Sequence, residues 1–240
     1  MQRLLITRPK RDSESLAAKL RKIGVSPVIQ PMLNVRILSQ TVPEFGNLQA
    51  LLVTSANGLR AFSLKCPLRQ VRVLTVGEAS AEVAKKSGFS EVESADGNVE
   101  NLVELVKTRL LAGNGTLLHP AGTKIAGDLG NSLRKYGFDY RRIVLYEAQE
   151  IKKFQPHILD LFDTKELWGV LFFSPRTAKI FETLLGKSKR AQAAVHLNAF
   201  CLSKNVGKIL RLHWKHIRIA SKPDQNSLLE TVEFFYPFEG

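Results

Sequence analysis

Cysteine is scarce in this chain. There are only two, Cys66 and Cys201, with no C-x-x-C pair and no Cys/His cluster at metal-binding spacing. That excludes a disulfide framework and a zinc ribbon or finger, and it fits a reducing, cytoplasmic compartment. Long apolar runs are also missing. The longest, such as 170–173, have strand length and fall far short of the ~20 residues of a membrane span. Only three apolar residues separate Gln2-Arg3 from Thr7-Arg8-Pro9, so no secretory leader is expected at this start. No G-x-x-x-x-G-K-[ST] and no G-x-G-x-x-G occurs, which removes the two common nucleotide-binding loops. Gly113-Asn114-Gly115 reads as a turn before a strand. The five histidines share no ligand spacing, and His213-x-x-His216 lacks a third ligand nearby, so no metal site is expected. Nor is there an evident nucleophile–base–orienter set.

What is present is ample for folding. The chain has 240 residues, 44% of them hydrophobic, enough for two domains of roughly 110–120 residues, each with its own core. Net charge is +13, and it is uneven. Residues 36–147 hold 14 basic and 11 acidic residues, a net +3, whereas the two chain ends together hold 21 and 11, a net +10. Such an excess favours an anionic partner or is a solvated basic surface, and both readings stand.

Apolar runs of strand length alternate with helix-period segments almost throughout. Ten strands are expected, among them 4–7, 115–119, 140–146, 195–202 and 217–220. Helical patterns lie between most of them, including 127–136 and 205–212. Strand–helix–strand alternation argues for parallel sheets covered on both faces, here two sheets of five strands. Internal similarity organises them. Residues 50–62 align with 169–181, residues 94–106 with 220–232, and 117–137 with 4–24, in one cyclic order. One repeat is therefore contiguous, at 38–146. The other is split, joining 1–35 to 152–240. Two crossings between two lobes predict a hinge and an active-site cleft, served by loops beyond the carboxyl ends of the strands.

Those loops share a chemistry of hydroxyls, amides and glycine. Thr54, Ser55 and Asn57 follow one apolar strand, and Ser174 with Arg176 follows its repeat partner. Gly77 and Ser80 pair with Ser203 and Asn205; Gly97 and Asn98 pair with the 222–226 segment. The loop with Gly122 and Lys124 pairs with the one carrying Arg8. Backbone N–H groups and hydroxyls at such helix starts suit an anion, although ordinary helix capping asks for the same residues. Tyr146 closes the expected strand 140–146 at a crossing, where a phenol can donate a proton or pack at a hinge.

Together these pieces resemble the uroporphyrinogen-III synthase family over almost the whole chain. The resemblance rests on Leu4-Leu-Ile-Thr-Arg-Pro9, Leu52-Val-Thr-Ser55, Thr75-Val-Gly77 and Asp96-Gly-Asn98. It continues through Val144-Leu-Tyr146-Glu and Phe172-Phe-Ser-Pro175. It implies two flavodoxin-type lobes on a two-strand hinge, no cofactor, and hydroxymethylbilane, a linear tetrapyrrole with carboxylate side chains, as substrate. It further implies dehydration and cyclisation with inversion of the last pyrrole ring, with Tyr146 as the proton donor. The substrate-binding residues implied are Arg8, Thr54, Ser55, Asn57, Gly77, Ser80, Gly97, Asn98, Gly122, Lys124, Ser174, Ser203 and Asn205. Ser203-Lys-Asn-Val206 departs from the family's usual Gly-Pro-Thr-Thr, leaving Lys204 or Asn205 in place of a threonine. Lys124 keeps a charge where the family's loop carries arginine, without the bidentate fork. The expected protein is a monomer, with transient contact to the preceding enzyme of its pathway and no nucleic-acid or membrane partner. The alternatives are an inactive binding or regulatory protein on the same scaffold and, from the charge alone, a nucleic-acid binder. The latter lacks any recognised motif.

Overall fold

In a computed structural model, residues 2–44, 46–125 and 127–236 are described. The chain opens with β1 (Arg3–Ile6), α1 (Lys10–Lys22), β2 (Ser26–Ile29) and β3 (Leu33–Ile37). Next come β4 (Leu48–Val53), α2 (Ala56–Lys65), β5 (Arg72–Thr75), α3 (Glu78–Lys86), β6 (Val92–Ser94) and α4 (Val99–Arg109). They are followed by β7 (Thr116–Gly122), α5 (Leu129–Lys135), β8 (Asp139–Glu150) and α6 (Pro156–Asp163). The last part holds β9 (Leu167–Phe172), α7 (Pro175–Lys187), a 3-10 turn (Ala191–His196) and β10 (Asn198–Cys201). It ends with α8 (Lys204–Gly207), β11 (His216–Ile219) and α9 (Gln225–Phe235).

Two compact units result. Val35–Ala148 form a contiguous unit; the residues up to Asn34 and those from Gln149 onward form a split unit. The split unit holds a five-stranded sheet in the order β11-β10-β9-β1-β2, and every neighbouring pair in it is parallel. The contiguous unit holds β3-β8-β7-β4-β5-β6. Its core pairs from β8 to β6 are parallel as well. This sheet therefore has six strands rather than the expected five. β3, a segment read from sequence only as a crossing, borders β8, and the Leu38 N–H donates to the Leu145 carbonyl at 2.9 Å. That pairing also carries β8 on to Glu150, four residues past its expected end.

Burial explains why the strands read as unbroken apolar runs. In the split unit Leu5, Val170, Phe172 and Ala199 pack on one side of the sheet, with Phe154, Ile158 and Phe181. Leu4, Ile6, Leu171 and Phe200 pack on the other, with Leu16, Leu20 and Leu228. Successive residues thus face two different cores, and period-two alternation disappears. The contiguous unit repeats the scheme, with Leu51, Val53 and Leu118 on one side and Ala50, Leu52 and Leu117 on the other. Each fully buried Leu or Phe contributes about 1.5–3 kcal/mol.

Three local expectations give way to tertiary contacts. The helix expected at 205–212 stops at Gly207. Beyond it, the Glu182 carboxylate on α7 accepts from the Arg211 and Leu212 backbone N–H groups and from Trp214 Nε1, at 2.8–3.0 Å. Those donors are satisfied by a carboxylate from another helix instead of by helical carbonyls. The strand expected at 195–202 begins only at Asn198, after the 3-10 turn. The sequence reading also passed over α6, although Pro156 in its first turn and the core residues Ile158 and Phe162 are a legible start and face. Among the described residues, no helix is long and apolar enough to cross a membrane.

Candidate functional site

Parallel strands bring the expected residues to common edges. In the contiguous unit Thr54, Ser55 and Asn57 follow β4, Gly77 and Ser80 follow β5, and Gly97 and Asn98 follow β6. Gly122 ends β7, Lys124 follows it, and Tyr146 lies opposite Gly122 in the β7–β8 register. All therefore belong to the carboxyl edge of one sheet. In the split unit Arg8 follows β1, Ser174 follows β9, and Ser203 and Asn205 follow β10, again at one carboxyl edge.

Several of these side chains already cap helices. Ser55 accepts from the Asn57 N–H at 3.2 Å, and Ser174 accepts from the Thr177 N–H at 3.2 Å. Asn98 and Asn101 form a reciprocal capping box, each side chain accepting from the other's N–H at 3.0 Å, with Gly97 just before it. A cap consumes one acceptor lone pair; the serine O–H remains a donor. Gly77 begins α3 and Ser203 begins α8, neither with a side-chain cap bond. Ser80 lies in the first turn of α3, and Lys124 and Asn205 are exposed. The Asn57 side-chain oxygen accepts from Arg60 at 3.2 Å.

Arg8 is the most elaborately held basic residue at either edge. Its guanidinium donates to Gln225 at 2.9 Å, approaches Asp12 at 4.0 Å and lies 4.6 Å from the centre of the Phe173 ring.

Tyr146 packs into the core of the contiguous unit and is 8% exposed. Its ring lies over Gly122: a Cβ there would come within 2.7 Å of the ring and 3.1 Å of the phenol oxygen. Glycine at 122 is thus the condition for Tyr146 to lie where it does. The Tyr146 carbonyl accepts from the Thr123 N–H at 3.0 Å, and Arg142 donates to the Gly122 carbonyl at 2.6 Å. A second close approach sets α2. A Cβ on Gly58 would lie 2.1 Å from the Pro120 carbonyl oxygen, so only glycine lets that helix start against β7.

One correction concerns the segment that follows the strand expected at 115–119, read from sequence as a loop running from His119 to Lys124. His119 to Gly122 belong to β7 and are fully buried, because β7 pairs on both sides, with β4 and β8. His119 Nε2 lies 2.9 Å from Thr54 Oγ1, and its Nδ1 lies 2.6 Å from the Tyr140 hydroxyl. Burial first, then the nearby Arg142 charge, pushes the imidazole down to about 4, so it is neutral at physiological pH. Burial also raises the Tyr140 phenol, opposed by Arg142 and Arg134 and reinforced by Asp128. Sequence reasoning named His119 only as the start of that loop, giving it no role, and missed Tyr140 and Arg142 as members of this region. The repeat carried a signal for the first two. At the offsets of the aligned blocks, Thr54, His119 and Tyr140 correspond to Phe173, Ile6 and Pro27, a polar trio against an apolar one.

Cys201 is no nucleophile here, since burial pushes its thiol up to about 12. Among the described residues, no group of three or more His, Cys, Asp or Glu is placed to hold a metal ion.

Residues 14–230 match the model of the HEM4 family, described as uroporphyrinogen-III synthase HemD. The chain is 26% identical over 213 residues to a uroporphyrinogen-III synthase of Chlorobaculum parvum (strain DSM 263 / NCIMB 8327), covering 83% of this chain and 85% of the relative. It is likewise 26% identical over 233 residues to the uroporphyrinogen-III synthase of Saccharomyces cerevisiae (strain ATCC 204508 / S288c), covering 87% and 83%. Among solved structures, a uroporphyrinogen-III synthetase of Helicobacter pylori 26695 aligns with a TM-score of 0.62 and 16% identity, over 97% of this chain and 98% of that one. A mutant uroporphyrinogen III synthase of the extremely thermophilic bacterium Thermus thermophilus aligns with a TM-score of 0.55 and 17% identity, over 100% of both chains. At such identities the two structures speak for the fold alone, a mixed α/β fold with parallel sheets. The match across 14–230 decides the family: the chain belongs to the uroporphyrinogen-III synthases.

Proposed function

We propose that the protein is an active uroporphyrinogen-III synthase, a lyase of tetrapyrrole and heme biosynthesis that converts hydroxymethylbilane to uroporphyrinogen III. The observation that carries this reading is the family match from residue 14 to residue 230, which takes in both units. The flavodoxin-like description of the lobes is supported by the split unit, whose strands, counted along the chain, lie in the order 2-1-3-4-5.

In the proposed reaction the Tyr146 phenol donates a proton to the terminal hydroxymethyl group, and water leaves. The pyrrole nitrogen lone pair drives the departure, so only modest acid assistance is needed from the phenol. The resulting azafulvene cation is attacked by the substituted carbon of the last pyrrole, giving a spiro intermediate. Fragmentation and re-closure leave that ring inverted. The contribution of the protein is mainly to hold the two ends of a flexible chain together.

Arg8, Thr54, Ser55, Asn57, Gly77, Ser80, Gly97, Asn98, Gly122, Lys124, Ser174, Ser203 and Asn205 are proposed to meet the carboxylates. Their helix-start N–H groups, hydroxyls and cations are the donors such a polyanion requires. No cofactor is needed for the sequence of steps as written. We further propose a cytoplasmic monomer that receives its unstable substrate through transient contact with the preceding enzyme; the net +10 of the split unit suits an anionic passenger.

The test is direct. Purified protein is given freshly generated hydroxymethylbilane, the products are oxidised, and the type I and type III porphyrins are separated. Type III above the spontaneous type I background is the expected result. Type I alone from folded protein would leave a binding or regulatory role on this scaffold.

A further inference from the structure

Three polar side chains of the contiguous unit stand in line: the buried Tyr140 on β8 and His119 on β7, and the half-buried Thr54 just after β4. They are held by 2.6 and 2.9 Å contacts across three adjacent strands, and no other side-chain hydrogen bond of Thr54 is seen among the described residues. The fold does not require them. In the split unit the equivalent strands carry Pro27, Ile6 and Phe173, and the same parallel arrangement forms around Ile6, which is wholly buried. Burying polar groups without a fold-level need points to use at the edge where Thr54 sits.

Chemistry decides the direction of the hydrogen bonds. A neutral imidazole has one N–H donor and one acceptor nitrogen. A phenol is a better donor than acceptor, and the short 2.6 Å contact fits Tyr140 O–H donating to Nδ1. The ring proton then sits on Nε2 and is donated to Thr54 Oγ1. That bond occupies a threonine lone pair and leaves its own O–H to point elsewhere. We propose that His119 is a positioning residue, which with Tyr140 fixes the Thr54 hydroxyl as an outward-pointing donor to a carboxylate of the linear tetrapyrrole. The substrate part rests on the reaction proposed above; the tautomer part does not.

Two measurements test it. Heteronuclear NMR of the histidine ring nitrogens in the full chain should show His119 neutral and protonated at Nε2. Protonation at Nδ1, or at both nitrogens at neutral pH, overturns the relay whatever the protein catalyses. The second is a kinetic cycle of Thr54→Val, Tyr140→Phe and the double variant, read as kcat/KM for type III product. Each single change should lower it about 3- to 10-fold, mainly through KM, the size expected for one lost hydrogen bond. In the Thr54→Val background, Tyr140→Phe should add less than about twofold, because the group it orients is already gone. Factors that multiply, or a single change without effect, overturn the proposal; Tyr140 would then serve packing only. If Tyr140→Phe does not fold, His119→Gln takes its place in the cycle. Failure of the unaltered protein to make type III product overturns the substrate role along with the reaction, while the NMR result still reports on the relay alone.

Discussion

The two units are built on the same cyclic strand order, yet they fill their interiors differently. β8-β7-β4-β5-β6 in the contiguous unit matches β2-β1-β9-β10-β11 in the split one. The aligned blocks fall on equivalent strands: 50–62 on β4 and α2, 169–181 on β9 and α7. The split unit packs the centre of its sheet with Ile6 and Phe173 and carries a net +10. The contiguous unit, at +3, places His119 and Thr54 there instead and lays Tyr146 over Gly122. One scaffold tolerates both fillings. What differs between them is therefore a better guide to chemistry than what they share.

The largest break in the symmetry should come at Gly58, whose equivalent in the split unit is Thr177. Gly58→Ala drives a Cβ onto the Pro120 carbonyl oxygen, at 2.1 Å. A backbone atom has little room to retreat, so a loss of about 3 kcal/mol or more is expected in urea unfolding. Thr177→Gly, the reverse exchange, removes a buried side chain that bonds Ser174 and should cost only about 1–2 kcal/mol. Equal costs would mean that the two helix starts are packed alike.

His119 gives the next effect. Its folded pKa is about 4 against an ordinary 6.5, so the unfolded chain binds the extra proton first as pH falls. Its stabilising contribution is complete above 6.5 and is lost as pH drops toward 4, up to about 3 kcal/mol. Urea midpoints measured across that window should fall for the unaltered protein and fall less for His119→Gln. Ile6 gives the split unit no comparable group. Glu93, Asp139 and Asp163, whose carboxyls are held down chiefly by hydrogen bonds from Arg109, Thr116 and Arg190, lose their contributions in the more acid range.

Tyr146→Phe should lower turnover about tenfold or more, with an unchanged melting temperature, since the ring and its packing over Gly122 remain. Unchanged turnover would remove the phenol from the mechanism. The smallest effect is expected from Arg8→Lys in the split unit. Loss of the fork bonded to Gln225 should raise KM about threefold and leave kcat nearly intact. An equal fall in kcat would move Arg8 from substrate binding to the chemical step.

The sequence by itself determined the alternation of strands and helices, the parallel sheets and the family, because these rest on local periodicity and on residue types at fixed spacing. Tyr146 and the strand-end loops could be named for the same reason, as positions relative to strands. Only the tertiary structure decided how those positions are used. β3 joined a sheet because β8 offered it an edge, the helix expected to reach 212 gave way where Glu182 took the Arg211 and Leu212 N–H groups, and Pro120 to Gly122 left an expected loop to extend the buried strand that holds His119. His119 meets Thr54 across 65 residues of chain and Tyr140 across 21. Contacts at such separations leave no mark on local periodicity; they form only when folding brings neighbouring strands within hydrogen-bonding distance.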